Sequence, residues 1–250
     1  MTAAADAAPI TAPDIVMLRQ DLAAAFRIAE RFDLHEGICN HFSVAVPGPQ
    51  ERYLINPYGL HWSEMRPQDL LLMDGDGTIL EGDGEAEATA RNIHIAGHRA
   101  NPRHLCILHT HMPYATALTM IEGGRLEMAH QTACRFWNRT AYDDHFGGLA
   151  LDAAEGERIA AAGGADRAGA DITFLANHGV IVGASSVATA VDDLYFLERA
   201  CRQQVLAMST GRPLKMIPPR EVEETARQWM QVLDFQAEEH FDALKRVIGI

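Results

Sequence analysis

The chain has 250 residues, 48% of them hydrophobic, and a formal net charge of −13 from 21 basic and 34 acidic side chains. That composition excludes a disordered chain. The acidic balance argues against nucleic acid or an anionic membrane as partner, because neutralising phosphates takes clustered Lys and Arg.

No apolar run reaches the roughly 20 residues of a membrane span. The Ala-rich start, Met1 to Pro9, lacks the basic and apolar regions of a signal peptide, so a cytoplasmic protein is expected. Cys39, Cys106, Cys134 and Cys201 are far apart and form no C-x-x-C pair, which reads as free buried thiols. Twelve histidines are a high count and direct attention to metals.

Residues 1–12 read as a disordered tail, and 13–250 as one domain with a C-terminal helical extension from about 213. Thr11 and Pro13 suit a helix start. Ile15, Leu18, Leu22, Phe26 and Ala29 step by three or four, which predicts a helix to about Phe32. A polar loop, Asp33 to His41, precedes a strand from Phe42 to Val46. Pro47-Gly48-Pro49 breaks that strand, and Tyr53 to Ile55 returns. Asn56-Pro57-Tyr58-Gly59 is a turn. Leu70–Met73 and Thr78–Leu80 flank Asp74-Gly75-Asp76-Gly77, a hairpin signal. The acidic positions of a calcium loop do not line up there.

Ala86 to Ala100 predicts a helix stopped by Asn101-Pro102. Leu105 to His111 predicts a buried strand, and Pro113 opens a helix to about Ile121. Arg139 to Tyr142 is a short strand, Ala153 to Ala162 a helix, and 171–176 a strand whose hairpin partner is Val180 to Val182. Ser185 is expected to cap a long helix reaching about Ser209, and a last helix runs from Glu221 to about His240. Helices alternating with hairpins predict an α/β fold with a mostly antiparallel sheet.

Side chains on a strand alternate faces, so His109 and His111 aim two imidazoles at one point. His178 follows the second apolar strand. If both strands end at the same edge, it completes a three-histidine site with an open coordination position, the catalytic rather than the structural pattern. Imidazole suits zinc, iron and related divalent ions, and three histidines do not choose among them. His94 and His98, one helical turn apart, read as packing residues.

Several motifs match together and in order. Leu108-His109-Thr110-His111, Leu175-Ala176-Asn177-His178-Gly179-Val180 and Asp193 to Cys201 resemble the class II aldolase/adducin family. So do Glu36 to Ser43 and Ile55 to Leu60. The resemblance covers about residues 15–210. It implies a three-layer αβα sandwich around a mostly antiparallel sheet, assembled as a homotetramer with active sites between subunits. It also implies one divalent ion per subunit (Zn, Mn or Fe) on His109, His111 and His178.

Departures from the family pattern matter equally. The acid/base glutamate of the sugar-phosphate aldolases falls on Ala90, leaving Glu87 and Glu85 as substitutes only if the helix shifts. The phosphate cradle falls on Asn40 to Ser43, Asn56 to Gly59 and Ala88-Thr89, where bulky His41, Phe42 and Tyr58 do not make an open anion nest. The resemblance thus implies that Asn40, Ser43, Tyr58 and Gly59 contact a non-phosphorylated carboxylate, flat enough to stack on Tyr58, Trp62 or Phe136. His130 and His41 are the expected proton carriers, with His61 and His145 behind them.

The function expected is a metal-dependent carbon–carbon lyase, a decarboxylase of a small hydroxylated aromatic, heteroaromatic or keto acid. Its rivals are retro-aldol cleavage of a hydroxy-keto acid, with Glu87 or a water as base, and a non-catalytic adducin-like assembly module. Adducins lack the metal histidines that this chain keeps.

Overall fold

The computed structural model describes residues 14–164 and 170–250, so the expected tail and the Thr11–Pro13 helix start lie outside the described residues. Helix α1 (Ile15–Arg31) begins where Asp14 Oδ1 accepts the amide of Val16 at 3.2 Å. Its Leu18, Leu22 and Phe26 form one buried stripe, as a period of 3.6 requires. Strands β1 (His41–Ala45) and β2 (Arg52–Ile55) follow, then β3 (Leu71–Asp74) and β4 (Ile79–Glu81). Asp74 Oδ1 closes the β3–β4 turn by accepting from the amides of Asp76 and Thr78.

Helix α2 (Ala88–Ala100) leads to β5 (Cys106–Thr110), and α3 (Pro113–Thr119) starts immediately beyond it. The remaining elements are β6 (Thr140–Asp143), α4 (Ala153–Ala162), β7 (Ile172–Leu175), β8 (Gly179–Ala184), α5 (Val187–Met208) and α6 (Pro219–Val247). Several boundaries differ from the sequence reading, two of them in the C-terminal helices. Ser186, not Ser185, caps α5, its Oγ accepting from the amide of Thr189 at 3.0 Å. Helix α6 continues past His240 to Val247, because Phe241 and Leu244 keep its buried stripe going.

The eight strands form one sheet in the order β4-β3-β2-β1-β5-β8-β7-β6, antiparallel except for the β6–β7 pair. Helices α1, α3 and α5 cover one face and α2 with α4 the other, with α6 outside α5, giving the αβα sandwich. The main core lies under α1 and α5, where Phe42, Leu108 and Val182 meet Phe26 and Leu194. Residues of opposite parity on the same strands, His41, Ser43, Ile107 and His109, face α2 instead.

A buried ion network fixes the far end of the sheet. Asp193 on α5 accepts from Arg135 Nε at 2.8 Å and from Arg139 Nη2 at 2.5 Å. Asp192 takes Arg135 and His240 Nδ1, tying α6 to α5. All four cysteines are free. Cys106, Cys134 and Cys201 are buried, but Cys39 is exposed, because its loop borders the cavity at the end of β1 rather than the core.

Candidate metal centre

The register of β1 on β5 sets His41 directly opposite His109. The turn from β7 to β8 brings in His178 from 67 or more positions away in the chain. Asn177 takes a left-handed φ of 53° in that turn, a conformation that asparagine tolerates. Gly179 lies so close to β5 that a Cβ would sit 2.5 Å from the carbonyl oxygen of Thr110, so no larger residue fits without displacing the turn. Glu198 on α5 accepts from the amides of Tyr114 and Ala115 at 2.8 and 2.9 Å, pinning the first turn of α3 just after His111. Burial pushes that carboxyl up to about 7.

One ring nitrogen from each of His109, His111 and His178 lies within 4.8 Å of the other two. Proton positions follow from their partners. His109 Nδ1 donates to the carbonyl of Val180 at 3.0 Å, and His111 Nδ1 donates to the Glu36 carboxylate at 2.5 Å. A neutral imidazole holding its hydrogen on Nδ1 has a bare lone pair on Nε2. Those two Nε2 atoms stand 3.2 Å apart. With hydrogens on both Nδ1 atoms, a cation between the two Nε2 lone pairs relieves their repulsion, and burial, then the neighbouring rings, holds His109 well below the usual histidine range. Burial, then His111, brings His178 down to about 4. Neutral imidazoles oriented through the far nitrogen by a carbonyl and a carboxylate are the arrangement a divalent metal requires. The donor set therefore fits such an ion.

The three rings open into a cavity of about 650 Å³. Its wall includes Asn40, His41, Tyr58, Glu87, Ala90 and Leu149, and among the described residues it contains no Lys or Arg. Asn40 is buried; its Oδ1 accepts from the amides of Glu36 and His111, and its Nδ2 has no partner among the described residues. Tyr58 is 60% exposed at the mouth, and Gly59 beside it carries the positive φ of the loop. His41 is 3% exposed, and burial brings it down to about 3.

Several expected site residues fall elsewhere. Glu87 borders the cavity, but its carboxylate caps α2, accepting from the amide of Ala90 at 3.0 Å and from the hydroxyl of Thr89. Ser43 does not reach the cavity, because α2 covers it and its hydroxyl is taken by His94 and His98. His130 is exposed on the opposite face of the sheet, in a turn that hydrogen-bonds to Ile217 and Trp229 beside α6. Trp62 and Phe136 are fully buried in the core and present no surface for stacking. His94 and His98, read from the sequence as packing residues, carry a hydrogen-bonded chain to His41. The signal for it was present as pairs at helical spacing (94, 98) and strand spacing (41, 43), but not their meeting.

Residues 20–205 match the family described as the Class II Aldolase and Adducin N-terminal domain. The chain belongs to that family. A putative aldolase class 2 protein from Caulobacter vibrioides is 31% identical over 84% of this chain and 80% of its own length. Decarboxylase NovR of Streptomyces niveus is 31% identical over 77% of this chain and 70% of its own. The crystal structure of an aldolase II superfamily protein from Pseudomonas syringae superposes with a TM-score of 0.86 at 34% identity, over 96% of this chain and 94% of that one. Among the described residues, no helix is long and apolar enough to cross a membrane.

Proposed function

We propose that the chain is a divalent-metal-dependent carbon–carbon lyase that removes CO₂ from a small, non-phosphorylated acid carrying a hydroxyl or keto oxygen beside the carboxylate. His109, His111 and His178 would hold the ion, which when bound withdraws charge from an oxygen and so stabilises a carbanion next to it. The observation that carries the reading is the convergence of one ring nitrogen from each of His109, His111 and His178 within 4.8 Å, in the wall of a cavity with no cationic side chain among the described residues.

A phosphate would find no Lys or Arg there, whereas Leu149, Ile38 and Ile93 offer apolar wall to a flat ring. Tyr58 stands at the mouth where an aromatic substrate would stack. Ala90, in place of an acid/base carboxylate, leaves room for the substrate's own carboxylate and removes the group that would deprotonate a hydroxyl in aldol cleavage. Losing CO₂ needs no such base, and the carbanion it leaves takes its proton from solvent water entering the open cavity. The kinship with decarboxylase NovR supports the same choice.

A second reading rests on Glu87, which borders the cavity although it caps α2. Released from the cap, it would serve as the base of a retro-aldol enzyme on a hydroxy-keto acid. We infer zinc, manganese or iron as the ion and a homotetramer in the cytoplasm as the working form. The test is to incubate zinc-, manganese- and iron-loaded protein with hydroxyaryl carboxylates and with hydroxy-keto acids. CO₂ release supports decarboxylation, aldehyde release supports the second reading, and neither product from any acid with any of the three metals refutes both.

A further inference from the structure

A line of hydrogen bonds runs from the cavity wall beneath α2. His41 Nδ1 meets His94 Nε2 at 2.8 Å. His94 Nδ1 meets Ser43 Oγ at 2.5 Å, and Ser43 Oγ meets His98 Nε2 at 2.7 Å. His98 Nδ1 meets the backbone carbonyl of His104 at 2.9 Å. His41, Ser43, His94 and His98 are all at most 6% exposed. Tyr53 stacks flat on His98 at 4.7 Å and 14° and holds that ring in place. Among the described residues, no carboxylate hydrogen-bonds any of the three rings, so nothing compensates a positive charge on them. Burial accordingly holds His98 down to about 4 and His94 well below the usual range.

One end of this line determines every proton in it. A carbonyl oxygen only accepts, so His98 carries its hydrogen on Nδ1, and its Nε2 is a lone pair. Ser43 must then donate to His98. Its oxygen accepts in turn from His94 Nδ1–H, which leaves His94 Nε2 bare. His41 must donate Nδ1–H to that nitrogen, and its own Nε2 is left without a hydrogen.

We infer that Ser43, His94 and His98 are positioning residues that lock His41 in the Nδ1–H form, so that its bare Nε2 faces the metal cavity as an acceptor for a hydroxyl of the substrate. This rests on the lyase reading of the cavity. It reverses the part expected of His41: a neutral ring whose single hydrogen is committed to His94 takes a hydrogen bond, and gives no proton to carbon. It also defines the ligand chemistry. A substrate presents a hydroxyl hydrogen to His41, and a second carboxylate or carbonyl oxygen at that point is repelled. The line ends at a carbonyl, which cannot pass a proton on, so it fixes an orientation and is not a conduit to solvent.

Neutron diffraction from deuterated, zinc-supplied protein reads the order directly. Deuterium is expected on Nδ1 of His41, His94 and His98 and on Ser43 Oγ toward His98, with His41 Nε2 bare. Deuterium on His41 Nε2 overturns the inference. In protein with ¹⁵N-labelled histidine, Ser43→Ala should lose the pure Nδ1–H signature of His41, while Ser43→Thr, which keeps the hydroxyl, should retain it. A pure Nδ1–H signature surviving in Ser43→Ala also overturns it. A wrong proton order with zinc bound sinks this inference alone, whereas a correct order without bound zinc sinks the metal reading alone.

Discussion

Gly179→Ala tests how tightly the β7–β8 turn holds His178. The new Cβ would lie 2.5 Å from the Thr110 carbonyl oxygen and 2.8 Å from His111 Cδ2, where ordinary contact begins at 3.4 Å. The turn must retreat by about 0.9 Å, the difference between 3.4 and 2.5 Å. Metal–ligand distances tolerate about 0.2 Å. His178 is the residue before Gly179, so the retreat pulls one imidazole out of ligand range. Overpacking of this kind costs about 1–3 kcal/mol, roughly 2–12 °C in melting temperature for a chain of this size. Zinc affinity, measured by competition with a chromophoric chelator, should fall at least about tenfold, the lower bound for disturbing a ligand's support. Melting of the metal-free variant gives the folding cost separately. An alanine variant that binds zinc like the wild type would refute the claim that this close approach sets the third ligand.

Other outcomes follow from the same geometry. Glu36→Gln removes the carboxylate that orients His111, and zinc affinity should fall about tenfold, the low end for such support because Glu36 is largely exposed. Asp193→Ala takes one carboxylate from Arg135 and one from Arg139, which keep Asp192 and Asp171, and the buried donors left unsatisfied should show in denaturant unfolding as a loss of about 1–3 kcal/mol. For the metal-free protein, His41, His98 and His178 have folded values of about 3, 4 and 4, below the unfolded 6.5. The unfolded chain therefore takes up protons first, and stability should fall as pH drops from about 6.5 toward 4, by up to about 1.4 kcal/mol per pH unit for each ring. Denaturation midpoints that stay flat across that window would contradict the buried, neutral state of these histidines.

Most of the architecture was legible because it rests on local patterns. Apolar residues at helical spacing marked α1, the Asn101-Pro102 stop marked α2 and a serine cap marked α5, while hairpin signals marked β3–β4 and β7–β8. Strand alternation put His109 and His111 on one side, and the turn after β7 offered His178. What failed depended on tertiary placement. His130 follows the His109–His111 segment closely in sequence, yet α3 already lies on the α5 face of the sheet, and the connection to β6 keeps His130 there beside α6. Trp62 has a polar tip and loop neighbours, but Phe26 and Phe42 enclose it. Each half of the His41–His98 line was periodic in its own element. Their junction needed the β1–β5 register and the docking of α2, which no single stretch encodes.

Elemental analysis of protein purified without added metal addresses the centre most directly. Three imidazole nitrogens within ligand reach of one another predict close to one equivalent of a divalent transition metal per chain, lost in His178→Ala. Less than about 0.1 equivalent in the wild type, against the tight binding usual for such sites, would contradict it.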